Sequence, residues 1–199
     1  YHKHKCIIMH INRTAGTSLE AALGGRKPKP FHPEKHMDCN SMIKLYGKSL
    51  WSEYFTFSIV RNPWDRMVSM FTWRKKIGIL PEKLSFESFV MNWNEWKIHR
   101  NKKLKNSNLD TSKLDRTGLL EQSQLSWFNG ELNFDFVARF ENIQEDFSYI
   151  CDRLNLKIQL PHEHKTNHKH YSLHYNTVTK KEVEKIWIED INHFKYKFD

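Results

Sequence analysis

The sequence is poor in cysteine, in glycine and proline, and in long hydrophobic runs. Its three cysteines, Cys6, Cys39 and Cys151, have no CxxC spacing, so a disulfide framework is excluded and we expect buried, reduced thiols. Only 7 glycines and 6 prolines occur in 199 residues, which excludes collagen-like and low-complexity chains. No run approaches the roughly 20 apolar residues of a membrane span, and no segment has the pattern of a signal peptide.

Aromatic residues and positive charge are plentiful instead. With 7 Trp, 7 Tyr and 13 Phe, the chain can fill the core of one globular domain, and we expect a single domain over residues 1–199. The net charge of +9 favours anionic ligands. Most of the excess lies in residues 97–116 and 161–181. The first of these stretches lacks periodicity, which predicts an exposed, mobile, basic insertion around residues 97–117.

Short apolar runs alternate with helical patterns along the chain. Residues 6–11, 55–60 and 134–140 have the composition or the period of buried strands. Helices are predicted after residues 12–18, over 38–46, from Pro63 with Asn62 as its N-cap, from Ser85, from Asn142 with a capping box to Glu145, and over 180–192. Strands that alternate with helices predict an α/β fold with a central parallel sheet flanked by helices.

The first candidate site is the loop at residues 12–18, between the first strand and the first helix. Helix N-termini offer unpaired N–H groups that bind phosphate, and Arg13 adds a guanidinium with a bidentate fork. The other residues supply small side chains or hydroxyl groups: Thr14, Ala15, Gly16, Thr17 and Ser18. The loop lacks the first glycine and the lysine of the G-x-x-x-x-G-K-[ST] nucleotide motif, and taken alone it is equally typical of an ordinary strand-to-helix turn.

The second candidate site begins at Arg61, where the second strand ends. Open α/β sheets bind ligands at this edge. Asn62, Arg66 and Ser69 recur at i, i+4 and i+7, so they share one face of the following helix, opposite an apolar stripe. Two cations and a hydroxyl beside a helix start predict a second anion site. A helix with a solvated polar face is the alternative interpretation.

Together the two motifs resemble those of sulfotransferases that use 3′-phosphoadenosine-5′-phosphosulfate (PAPS). Residues 10–18 are similar to that family's 5′-phosphosulfate loop, and Arg61 and Ser69, with Arg66 between them, are similar to its 3′-phosphate motif. The resemblance is strongest to the carbohydrate group, which includes heparan sulfate 2-O-sulfotransferases, and to related bacterial enzymes. It extends to residues 139–142, 160–162 and 190–198. Asn12-Arg13 departs from the usual Pro-Lys, and arginine keeps the charge without the compact ammonium group.

The resemblance implies a P-loop-like nucleotide-binding core and in-line transfer of a sulfuryl group from PAPS to an acceptor hydroxyl or amine. Adenosine 3′,5′-bisphosphate (PAP) would be the product, and no metal is required. Residues 13–18 would bind the phosphosulfate, with Arg13 stabilising the departing 5′-phosphate. Arg61, Ser69 and Arg66 would bind the 3′-phosphate.

The resemblance also implies a general base between the two motifs, and histidine suits that role near neutral pH. His36 is favoured because Lys35-His36 resembles the family's Lys-His segment. His32 and Glu34 are the alternatives. A second histidine cluster, at 162–174, suggests either a metal site or, with its interleaved lysines, a solvated loop over the nucleotide.

Two other functions compete with this interpretation. A degenerate P-loop kinase or NTPase would need a carboxylate for Mg²⁺, whereas a non-enzymatic module would bind polyanions through residues 97–116. The expected acceptor is an acidic glycan or a small hydroxylated metabolite, with no specific nucleic-acid partner. We expect a cytoplasmic enzyme if the source is bacterial, or else a Golgi-lumenal domain separated from its anchor.

Overall fold

The computed structural model describes residues 1–24, 36–98, 120–130, 134–160 and 169–199. Their contacts form two compact units, one built from Tyr1–Arg61 with Gln124–Lys165 and the other from Asn62–Ser123 with Thr166–Asp199. The expectation of a single domain stays a prediction, and each unit is described by itself. The proposed basic insertion lies almost wholly outside the described residues.

The first unit is built on a small parallel sheet. Its strands are β1 (Cys6–Met9), β2 (Phe55–Val60) and β3 (Phe136–Arg139), in the order β1-β2-β3 with both pairs parallel. The predicted α/β fold with a parallel sheet is therefore confirmed. The β2 bounds agree with the alternating pattern of 55–60, while β1 and β3 are shorter than predicted.

The described helices are divided between the two units. Their bounds are α1 (Gly16–Ala22), α2 (Cys39–Tyr46), α3 (Lys48–Glu53), α4 (Pro63–Lys76), α5 (Phe86–Met91), α6 (Ile143–Arg153), α7 (Thr177–Ile186) and α8 (Ile188–Phe194). The first unit contains α1 to α3 and α6, and the second contains α4, α5, α7 and α8. None of these described helices is long and apolar enough to span a membrane.

Three predicted helix starts are confirmed by their caps. The Asp38 carboxylate accepts a hydrogen bond from the Ser41 N–H at 2.7 Å and begins α2. Ser85 begins α5 in the same way. Asn62 accepts from the Trp64 N–H at 3.0 Å, with proline in the first turn of α4. Each cap satisfies an N–H group that the helix itself leaves unpaired.

The helix predicted from Asn142 is present, but two details of the helix predictions are wrong. The Asn142 side chain makes no cap bond at α6; instead the Asp146 carboxylate accepts from the Arg139 N–H. The predicted helix over 180–192 is two helices, because buried Trp187 has a non-helical φ of −128° between them. A capping box of Asn176 and Thr179 starts α7 earlier than predicted.

The core of the first unit packs α1 and α6 against the sheet. Leu19, Phe57, Ile59, Phe147 and Ile150 are buried there together. All three cysteines are buried as expected, and burial raises the pKa of the Cys6 thiol to about 11. This packing fixes the carboxyl ends of the three strands, from which the candidate site is built.

Candidate functional site

The carboxyl ends of the three parallel strands lie at one edge of the first unit. β1 leads into the loop of residues 10–18, β2 ends before Arg61, and β3 ends before Phe140. In open α/β sheets this is the edge at which ligands bind. Both sequence motifs therefore begin at the edge of the sheet where ligands are expected to bind.

The loop after β1 has a constrained backbone. Arg13 and Ala15 adopt left-handed conformations, with φ of 66° and 70°, which residues with a Cβ rarely adopt. The Thr14 hydroxyl donates to the carbonyl of Ile11 at 2.8 Å and is buried, so its proton closes the loop rather than facing a ligand. Strained backbone held by its surroundings is frequent in binding loops.

The Arg61 side chain contacts the backbone of Arg13 at this edge. Arg61 is only 4% exposed, and its Nη1 donates to the carbonyl of Arg13 at 3.1 Å. The Arg61 guanidinium lies 3.8 Å from the centre of the Phe140 ring. Burial, and to a smaller extent the positive charge of Arg61, lower the pKa of Arg13 to about 10. Two cations brought together at the edge of a sheet are suited to hold an anion of more than one charge.

The backbone of Arg61 is held by Gln124, a residue that the sequence analysis missed. The Gln124 side chain accepts from the Arg61 N–H and donates to the Arg61 carbonyl, both at 2.8 Å. Gln124 is fully buried, so both bonds are shielded from water. No motif links these two residues, which stand 63 positions apart in the sequence. Gln124 thereby fixes where the Arg61 side chain begins.

His36, the favoured general base, lies beside the end of β1. Its Nδ1 is 3.1 Å from the carbonyl oxygen of His10, and its ring contacts the rings of His10 and Trp127 edge to face. Because a carbonyl only accepts, the His36 Nδ1 carries the proton, which makes Nε2 the basic nitrogen of the neutral ring. The alternatives His32 and Glu34 lie outside the described residues.

His10 itself forms a second feature that the sequence analysis missed. Its Nδ1 lies 2.6 Å from Oε1 of Glu20 in α1, and the His10 ring lies so close to Gly16 that a Cβ on that residue would overlap it. His10 stands in the stretch compared with the phosphosulfate loop. The spacing between His10 and Glu20 in the sequence, however, does not indicate that their side chains are in contact.

The second unit contains the other two residues of the predicted 3′-phosphate motif. Arg66 is fully buried, donates to the carbonyl of Gln122 at 2.9 Å and lies 4.9 Å over the Trp187 ring. Ser69 is fully buried as well, and every residue of α4 from Pro63 to Phe71 is buried. The interpretation of α4 as a helix with a solvated polar face is therefore wrong. The roles of Arg66 and Ser69 toward the donor stay predictions.

Part of the second histidine cluster is visible. His162, His164 and His168 lie outside the described residues, whereas His170 is exposed and His174 packs against Phe86. Within the described ranges, no group of three or more His, Cys, Asp or Glu side chains is arranged to hold a metal ion.

Comparison with known families decides what kind of protein this is. A model of the sulfotransferase family matches residues 1–197. The chain belongs to the sulfotransferase family. Searches of curated proteins and of solved structures gave no match. The family resemblance inferred from the two motifs is confirmed at this level, and neither a kinase nor a non-enzymatic polyanion module is the family that matches. A sulfotransferase acts on an anionic donor, which agrees with the paired arginines.

Proposed function

We propose that this sulfotransferase transfers a sulfuryl group from PAPS to a hydroxyl or amine of its acceptor and releases PAP. The observation that carries the proposal is the contact of Arg61 with the Arg13 backbone at the carboxyl edge of the sheet, where the positive charge of Arg61 lowers the pKa of Arg13. Like charges that interact repel each other, and a bound polyanion offsets that cost. PAPS has negative charge at both its phosphosulfate and its 3′-phosphate, which is the type of ligand that such a pair fits.

The loop of residues 12–18 would take the role of a P-loop-like phosphate cradle. Arg13 would stabilise the charge that builds on the departing 5′-phosphate, and the side chains of Thr17 and Ser18 would donate to its oxygens. Arg61 would hold the 3′-phosphate and thereby orient the donor. The family motif also includes Ser69 and Arg66, but the proposal rests on Arg61 because Arg61 directly follows a strand of the sheet, at the edge where open α/β sheets bind ligands.

His36 would remove the acceptor proton. The acceptor oxygen forms a bond to sulfur as the bond between sulfur and the 5′-phosphate oxygen breaks, and the acceptor proton passes to Nε2 of His36. The hydrogen bond from Nδ1 to the His10 carbonyl supports this role, because it places the proton on Nδ1 and leaves Nε2 as the basic nitrogen of the ring. As in phosphoryl transfer, the rest of catalysis would be positioning and charge stabilisation.

The acceptor is proposed to be a carbohydrate or a small hydroxylated metabolite. The support is the resemblance to heparan sulfate 2-O-sulfotransferases and to bacterial relatives. The basic stretch that would attract an acidic glycan, residues 97–116, lies almost entirely outside the described residues, so this part of the proposal depends on the sequence alone.

Calorimetry with PAP and with ATP tests the donor. We expect PAP to bind and ATP to bind far more weakly, since ATP has no 3′-phosphate for Arg61. Tight binding of ATP with no response to PAP would refute the proposal and favour a nucleotide kinase.

His36→Ala tests the base. We expect release of PAP from PAPS, measured with a panel of carbohydrate acceptors, to slow by about 10²- to 10⁴-fold, while PAP affinity stays within twofold of wild type. His193→Ala is the matched control, because His193 is an exposed histidine of α8 in the second unit. Unchanged turnover in His36→Ala would reject the assignment and direct attention to His32 and Glu34.

A further inference from the structure

We propose that Glu20 is a positioning residue for His36 and acts through the ring of His10. The inference rests on the proposed function, in which His36 is the base. All three residues belong to the first unit: Glu20 is in α1, His10 follows β1, and His36 precedes α2. None of the sequence motifs includes Glu20.

The contact between Glu20 and His10 is short and shielded. The His10 Nδ1 is 2.6 Å from a Glu20 carboxylate oxygen, and the two side chains are 6% and 13% exposed. A carboxylate accepts, so Nδ1 is the donor, and a charge-assisted bond in such surroundings holds the ring strongly. Glu20 thus selects one orientation of the His10 ring.

A second contact limits the ring from α1. Gly16, in the first turn of that helix, lies so close to the His10 ring that any Cβ would overlap Cγ, Cδ2 and Nε2. The Gly16 backbone therefore covers one side of the ring, while Glu20 holds its Nδ1.

His10 in turn holds His36 by two contacts. The ring centres are 4.8 Å apart in an edge-to-face arrangement, which is a favourable geometry for aromatic rings. The His10 carbonyl accepts from the His36 Nδ1. Loss of the Glu20 carboxylate would free the His10 ring to turn, and His36 would lose the surface that aligns it with that carbonyl.

The tautomer of His36 is the direct readout. Proton–nitrogen correlation spectra of ¹⁵N-histidine-labelled protein report which ring nitrogen is protonated, and His36→Gln identifies the signal. We expect His36 to be a single Nδ1–H tautomer in the wild type, and a mixture in Glu20→Ala. Glu20→Gln should lie nearer to wild type because its amide oxygen still accepts from His10. Glu53→Gln, a neutralised exposed glutamate of α3, is the matched control and should be unchanged.

Turnover supplies the second readout. Glu20→Ala should lower kcat by about 10- to 100-fold through misplacement of the base, with KM for PAPS and PAP affinity nearly unchanged. In the His36→Ala background, Glu20→Ala should cause no further loss, because two residues that act through one group are not additive. Glu20→Gln is measured in parallel, so that the comparison does not depend on the alanine variant folding well.

Two results would overturn the proposal: an unchanged His36 tautomer in both Glu20 variants, or fully additive losses of kcat with His36→Ala. The donor proposal fails separately. If the wild type bound no PAP but the His36 signal still responded to Glu20→Ala, the proposed function would be refuted and the link from Glu20 to His36 supported.

Discussion

Both units bury arginine side chains, but they surround them differently. In the second unit, Arg74 forms a buried ion pair with Glu121 and lies over the rings of Phe89 and Trp93, while Arg66 donates to backbone carbonyls. These are the partners that make a buried guanidinium part of a stable core.

In the first unit, the charged group that lowers the pKa of Arg13 is another arginine. Arg61 lies against the Arg13 backbone, and the Arg61 charge adds to burial in lowering the pKa of Arg13. Such an arrangement costs stability in the ligand-free protein. A bound anion would recover that cost, so the comparison separates Arg74, which is paired with a carboxylate, from Arg13, whose pKa is lowered by a second cation.

The largest expected effect is on stability, from Arg74→Met. Removing one member of a buried ion pair leaves the Glu121 carboxylate in a dry environment, and such changes cost about 3–5 kcal/mol. Chemical denaturation should show this loss in the free energy of unfolding, while the remaining folded protein binds PAP with wild-type affinity. Arg74→Met with Glu121→Leu should recover much of the loss, since it removes both charges. If Arg74→Met lowered the free energy of unfolding by less than about 1 kcal/mol, Arg74 would not be an arginine that stabilises the fold.

The second expected effect is on binding, from Arg61→Ala. We expect PAP affinity to fall by on the order of 100-fold, because a charge-assisted contact of about 1.5–3 kcal/mol is lost. Stability should change far less than in Arg74→Met. Arg61→Lys keeps the charge without the bidentate fork, so its PAP affinity should lie between those of the wild type and Arg61→Ala. An Arg61→Ala protein that is strongly destabilised but binds PAP normally would place Arg61 with Arg74, and the comparison would no longer hold.

Local signals in the sequence account for much of the fold. β2 has apolar side chains at the alternate positions 55, 57 and 59, and Asp38, Asn62 and Ser85 cap helices as their chemistry predicts. The wrong helix predictions result from tertiary contacts that the local sequence does not record. Trp187 is buried at a break between α7 and α8, and no periodic pattern of apolar residues records the backbone bend that this burial requires.

The candidate site could also be predicted only where local sequence signals place its residues. Arg13 and Arg61 directly follow apolar strands, so their place at the sheet edge could be deduced. Gln124, Phe140 and Glu20 contact Arg61 or His10 across long stretches of sequence or from within a helix. Their residue types are common and their spacing has no period, so only the folded chain shows that they support the site.

The smallest expected effect, and the one that most sharpens the comparison, comes from Arg13→Met. The pKa of Arg13 in the folded protein is about 10, below its ordinary value, so the unfolded chain binds its proton more tightly. Below pH 10, Arg13 is charged in both the folded and the unfolded protein, and the full free-energy cost of burying its charge is present. Met removes that cost, and we expect the ligand-free protein to gain about 1 kcal/mol at pH 7, or roughly 2–4 °C in Tm. Above pH 10 the wild type loses this proton, so the stability difference narrows.

PAP binding should change in the opposite direction. Arg13→Met should bind PAP more weakly than wild type at pH 8, which is the trade-off expected where binding requires a destabilising group. In calorimetry between pH 8 and 11, wild-type affinity should fall as the pH rises through 10, whereas the affinity of Arg13→Met should not depend on the protonation of this position. If Arg13→Met instead lowered Tm and left PAP affinity and its pH dependence unchanged, Arg13 would be a structural arginine like Arg66, and the two units would treat their buried cations alike.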